Sequence, residues 1–244
     1  MAAVQFLTII PVKSTSWDKR VLGRSLLCFP VIGSLIGLFL AGVYEMLISL
    51  KINSISAALI TVVVLAVVTG ALHLDGLSDT FDALMSRKDR QAMLDIMRDP
   101  HAGAIGVVAI VALLMLKVAL ILVMKPTAVP AALVLMCLIS RWALVPEMSL
   151  FPYARDEGKA RSFIDGSTWP IALAATAIAV VISVLTANLS GLVVISAAGV
   201  FVYGFGKAIM KMLGGITGDT LGALAEMTEV ITLITLFVMQ VIGL

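Results

Sequence analysis

Ile55-Ser-Ala-Ala-Leu-Ile-Thr-Val-Val-Val-Leu-Ala-Val-Val-Thr-Gly-Ala-Leu72 runs directly into His73-Leu-Asp75-Gly-Leu-Ser-Asp79-Thr-Phe-Asp82. The first part carries no charge and is close to the ~20 residues a helix needs to cross a bilayer. The second part sets three carboxylates against the end of that run. Acidic groups beside a membrane are costly to keep, and clustered ones point to a positive ligand.

The rest of the chain has the same character. Of its 244 residues 61% are hydrophobic and 13% charged, against roughly 25% charged in a soluble domain. An all-α, polytopic membrane bundle is expected, forming a single domain over residues 1–244. The apolar runs are continuous rather than alternating, which favours helices over barrel strands. Seven spans are read: Leu26–Leu50, Ile55–Leu72, Ala104–Met124, Ala128–Val145, Pro170–Ala187, Leu192–Phe205 and Val230–Leu244, the last starting as early as Thr220. The segment up to Val12 is too short to span and is expected at the interface or tucked against the bundle. It lacks the basic start and cleavage site of a signal peptide. Gly33-x-x-x-Gly37 reads as close helix packing. Cys28 and Cys137 read as small buried apolar residues.

Connections alternate in length. Lys51–Ser54, Lys125–Thr127 and Asn188–Gly191 are short, whereas His73–Gly103, Pro146–Trp169 and Gly206–Glu229 are long and polar. Lys13, Lys19, Arg20, Arg24, Arg87, Lys88, Arg90, Arg98, Arg155, Lys159, Arg161, Lys207 and Lys211 fall on the side of the long loops, and only Lys51 and Lys125 on the other. The positive-inside rule puts the N-terminus and the long loops in the cytoplasm. Trp17, Tyr153 and Trp169 lie near that boundary. Net charge is only +2, so no nucleic-acid partner is implied. Lys117 and Arg141 remain within spans, Arg141 near the cytoplasmic end of its own; each can snorkel, pair or anchor.

Asp75, Asp79 and Asp82 are four and three residues apart. On a helix they share one face, where their repulsion would be relieved by a divalent cation; oxygen ligands suit Mg²⁺ or Mn²⁺. Gly76 would leave room for a substrate beside them. Such a face suggests transfer at phosphorus. The CDP-alcohol phosphotransferases use this logic, but the Ala-Arg and the later Asp-x-x-x-Asp expected after their Asp-Gly are not in that arrangement here. A carboxylate-coupled transporter is a further alternative. Arg98, Asp99 and His101 form a second candidate group, for phosphate or as a capped turn. Arg155 is a third, since Arg is the planar partner of phosphate. In Gly214-Gly-Ile-Thr-Gly-Asp219-Thr-Leu-Gly222 the glycines suggest an amide nest for an anion; Asp219 can equally be an N-cap. Glu226 follows on the same helical face as a further ligand or a packing partner.

Taken in order, Phe6-Leu-Thr-Ile-Ile-Pro-Val12, His73 to Leu84, Arg98-Asp99 through Gly103 and Gly106, Tyr153-Ala-Arg155 and Gly215 to Gly222 resemble the cobalamin synthase (adenosylcobinamide-GDP ribazoletransferase) family. One departure is Pro100-His101, where the family carries a small residue and an Arg. The resemblance implies Mg²⁺-dependent transfer of the adenosylcobinamide phosphate moiety of adenosylcobinamide-GDP to α-ribazole or its 5′-phosphate, with release of GMP. The enzyme would sit in the bacterial inner membrane with its site facing the cytoplasm, and a homo-oligomer is compatible with it. Asp75, Asp79 and Asp82 are then expected to hold metal. Asp82 or His73 would take the hydroxyl proton. Arg98, His101 and Arg155 would contact phosphate, and Gly215, Gly218 and Asp219 would contact ribose, phosphate or a second metal.

Overall fold

The computed structural model describes residues 2–12, 18–155, 157–158 and 160–243. Lys13, Trp17, Lys159 and Leu244, used above for topology, lie outside them. Among the described residues the chain forms helices α1 (Ala2–Leu7), α2 (Lys19–Ser25), α3 (Phe29–Ser49), α4 (Ser54–Val68), α5 (Leu72–Met85), α6 (Arg90–Ile96), α7 (Ala104–Val123), α8 (Val129–Leu150), α9 (Arg161–Gly166), α10 (Trp169–Leu213) and α11 (Gly218–Ile242), with no strand beyond one isolated bridge. Five stretches are long and apolar enough to cross a membrane, and the pair α4–α5, bent by 90°, makes a sixth if it counts as one span.

α8 is the centre. Every residue from Ala132 to Val145 is buried, as expected of a helix with no polar face. α3 lies against it because Gly33 and Gly37 have no side chain. A Cβ at Gly33 would meet the Cys137 carbonyl, and one at Gly37 would fall 2.6 Å from the Val134 Cα. The GxxxG spacing therefore serves packing inside the bundle. Phe6 of α1 stacks on Phe29 and lies tilted against Phe163, with centroids 5.9 and 4.7 Å apart. This tucks the N-terminal segment against the bundle.

Several boundaries differ from the sequence reading. The second run is not one helix. α4 stops at Val68, and Gly70 and Ala71 take positive φ, so α5 leaves at a right angle. The Val68 carbonyl freed by the break accepts the Ile9 amide at 2.9 Å. α8 continues past Val145 to Leu150 with Pro146 inside it, which puts Arg141 in mid-helix rather than at an end. Helix also replaces much of the expected 206–229 loop. Cys28 is exposed rather than buried; Cys137 is buried, and both are free thiols.

α10 is interrupted by non-helical Ala187 and Asn188. The Trp142 indole donates to Thr176 Oγ1 at 2.9 Å, while its far ring edge lies 3.6 Å from a Cβ built on Gly199. Those two positions would be ~34 Å apart on an unbroken helix, so the two halves fold back on each other. Met124, Lys125, Ala187, Ser190 and Gln240 line one depression, which brings together two of the short connections, 125–127 and 188–191.

Candidate active site

The acidic stretch is helical, with Asp75 exposed and Asp79 and Asp82 half-buried on α5. α5 packs directly on the start of α11. A Cβ at Gly76 would lie 2.7 Å from the Asp219 carbonyl and 3.2 Å from the Gly222 Cα, and one at Gly222 would lie 3.1 Å from the His73 carbonyl. Gly76 therefore makes room for α11, not for a substrate as the sequence suggested. The contact brings Asp219 into the acidic group, and Asp79 sits in the field of Asp75, Asp82, Asp219 and Arg155.

Arg155 arrives by backbone pairing. Ala154 donates to the Ile216 carbonyl and Ile216 donates to the Pro152 carbonyl, both at 2.8 Å. Gly215 permits this, since a Cβ there would be 2.5 Å from the Pro152 oxygen. Arg155 Nη2 then donates to Asp219 Oδ2 at 2.7 Å. Burial raises the Tyr153 phenol above its usual range. Thr217, not Asp219, caps α11, in a box with Thr220. The amides of Gly214, Ile216, Thr217 and Thr220 have partners within the protein. A Cβ at Gly218 would meet only the Ala160 Cβ, in ordinary contact at 3.9 Å.

Asp82 has a task the spacing did not reveal. Its Oδ2 accepts the Gly103 amide at 2.8 Å and its Oδ1 the Gly106 amide at 2.9 Å. It thus covers the open N-terminus of α7, where orphan amides and the helix dipole favour an anion. A Cβ at Gly103 or Gly106 would collide with this carboxylate, which explains both glycines. Arg98 and His101 lie exposed in the connection just before α7. Asp99 accepts from the His101 amide at 3.0 Å and pairs with its Nδ1 at 2.7 Å, bonds that hold Asp99 below the ordinary carboxylate range. Asp99 therefore orients His101.

His73 is 4% exposed, and neither ring nitrogen has a partner. It lies in the field of the buried charges Arg141, Glu229 and Lys117. Lys117 of α7 bonds Glu226 at 2.6 Å and also Glu229; Glu229 in turn bonds Arg141 of α8. Lys117 and Arg141 are therefore paired within the bundle, and Glu226 is a packing partner set apart from the Asp219 site. The sequence reading missed Glu229, whose partners lie on other helices. The signal available was two cations and two acids stranded in apolar runs.

Among the described residues, no three His, Cys, Asp or Glu side chains gather closely enough to hold a metal by themselves. The donors of α5 and α11 are hard oxygens, and Arg155, a cation beside them, is already bonded to Asp219. That charge imbalance fits a cation bound by one or two carboxylates together with substrate phosphates, the usual manner of Mg²⁺.

The cobalamin-5-phosphate synthase family model matches residues 1–237. The chain belongs to this family. It is similar to the adenosylcobinamide-GDP ribazoletransferases of Stutzerimonas stutzeri (37% identical, covering 97% of this chain and 96% of that one), Klebsiella pneumoniae (36%, 96% and 97%) and Fusobacterium nucleatum (30%, 93% and 92%). No solved structure matches. Neither the CDP-alcohol transferase nor the transporter alternative is favoured by these matches. In this cobalamin-5-phosphate synthase family member, residues from three separate segments, α5, the Tyr153–Arg155 turn and the start of α11, meet at one place.

Proposed function

We propose that this chain is an adenosylcobinamide-GDP ribazoletransferase: it joins α-ribazole or its 5′-phosphate to the adenosylcobinamide phosphate moiety of adenosylcobinamide-GDP and releases GMP. The observation that carries this reading, beside family membership, is the convergence of Asp75, Asp79 and Asp219 with Arg155. The reaction needs a hydroxyl to attack one phosphorus of a diphosphate while a nucleotide departs. Mg²⁺ held by one or two of the carboxylates Asp75, Asp79 and Asp219, together with the substrate's own phosphates, would neutralise diphosphate oxygens there. Arg155, with Arg98 and His101 of the exposed connection before α7, would present donors to phosphate and leaving group. Asp82 retains lone pairs beyond its two amide bonds and is better placed than buried His73 to take the hydroxyl proton.

The excess of basic residues on the long loops supports a cytoplasmic face for this end in a bacterial inner membrane. Counting α4–α5 as one broken span and α10 as two would give seven crossings, a topology that supports an N-terminus on the same side. The test is direct. Purified protein with Mg²⁺ is expected to release GMP from adenosylcobinamide-GDP only when α-ribazole is added, and to stop when the metal is chelated. GMP release without α-ribazole, or none with it, overturns the reading.

A further inference from the structure

Arg90 is the first residue of α6, the helix that follows the acidic α5. Its Nε donates to the Leu213 carbonyl at 2.6 Å and its Nη2 to the Ala154 carbonyl at 3.3 Å. The two acceptors belong to segments that pair with each other. Leu213 ends α10 and leads into the Gly214–Thr217 turn, and Ala154 is bonded to Ile216 of that turn. Gly214 is in the left-handed region with φ +72°, and a Cβ there would fall 3.2 Å from Arg90 Nε. The guanidinium therefore lies flat against the turn. A cation also suits the last carbonyls of α10, where the helix dipole is negative.

We propose that Arg90 is a positioning residue for the diphosphate-binding side of the active site. One planar group ties the element after α5 to both loops that carry Arg155 and Asp219. Ala154 precedes Arg155 directly, and Asp219 lies in the first turn of the helix the Gly214 turn leads into. Fixing the two carbonyls fixes the approach of Arg155 to Asp219, and both to the α5 carboxylates. Lysine cannot reproduce this, because a single ammonium lacks the fork that reaches two separated carbonyls in one plane. Both of these bonds go to backbone carbonyls, so the effect of Arg90 on turnover passes through Arg155 and Asp219. This inference rests on the proposed transfer reaction for its kinetic side alone.

The experiment compares wild type with Arg90→Ala and Arg90→Lys in two measurements. The first is hydrogen exchange of the Ala154 and Ile216 amides in the substrate-free protein, a readout that needs no activity. Exchange at both is expected to rise about tenfold in Arg90→Ala, with amides of α8 unchanged, and to return toward wild type when millimolar guanidinium is added. The second is steady-state GMP release. KM for adenosylcobinamide-GDP is expected to rise about tenfold while KM for α-ribazole stays within about twofold, and Arg90→Lys should recover only part of the difference. Unchanged exchange at Ala154 and Ile216 overturns the clamp. Faster exchange with an unchanged KM, or equal loss for both substrates, overturns its role in positioning. If wild type itself releases no GMP, the proposed reaction fails and the exchange result alone decides the clamp.

Discussion

The three α5 carboxylates look alike in sequence but do different work. Asp82 accepts two amides of α7, whereas Asp75 and Asp79 face like charges. Replacing Asp82 by Asn leaves one oxygen to serve two donors. Asp82→Asn is therefore expected to lose about 1–2 kcal/mol of stability, the range of a lost helix cap, along with turnover. Asp75→Asn and Asp79→Asn relieve repulsion, so they should keep or slightly raise the melting temperature while losing at least ~100-fold in GMP release. Thermal unfolding in detergent, run beside the activity assay, separates the two behaviours. A fall in melting temperature for all three would remove the distinction.

Among the elements, the α5–α11 crossing decides whether Asp219 belongs to the site. Gly76 permits it, with a Cβ meeting α11 backbone at 2.7 Å. Backbone cannot yield as a side chain can, so Gly76→Ala should push α5 away at about 1–3 kcal/mol and disable transfer in protein that still inserts. Gly42 and Gly204 have nothing within 4 Å of an added Cβ. Alanine there should be harmless or stabilise by about 1 kcal/mol through helix propensity. Equal activity of Gly76→Ala and Gly42→Ala would show that the crossing is dispensable.

For the whole molecule, α7, α8 and α11 are joined through Lys117, Glu226, Glu229 and Arg141, each at most 4% exposed. Two cations and two acids balance. Removing one leaves a buried charge without a partner, which typically costs about 3–5 kcal/mol. Lys117→Met is expected to show such a loss in denaturant unfolding. The double variant Lys117→Met with Glu226→Leu should recover most of it, because Arg141 and Glu229 still neutralise each other. Additive losses in the double variant would contradict this.

The membrane-spanning helices were legible because bilayer thickness imposes long uninterrupted apolar runs, and a run such as Ala104–Val123 contains little else. Asp75, Asp79 and Asp82 were legible as one face because helical spacing is local. The right angle at Gly70–Ala71 was not, since the freed Val68 carbonyl is satisfied by Ile9, far away in the chain. Nor was the capping task of Asp82, which exists only because Gly103 and Gly106 arrive at its two oxygens. The opened role of Gly76 was misread for the same reason: an absent side chain makes space, but sequence does not say what fills it. By itself the sequence determined which segments leave water and which polar groups collect at one end, because transfer from water depends on composition and short-range period. Tertiary structure decided which of those groups meet, because pairs such as Arg155 with Asp219 and Lys117 with Glu229 depend on how separate helices pack in three dimensions.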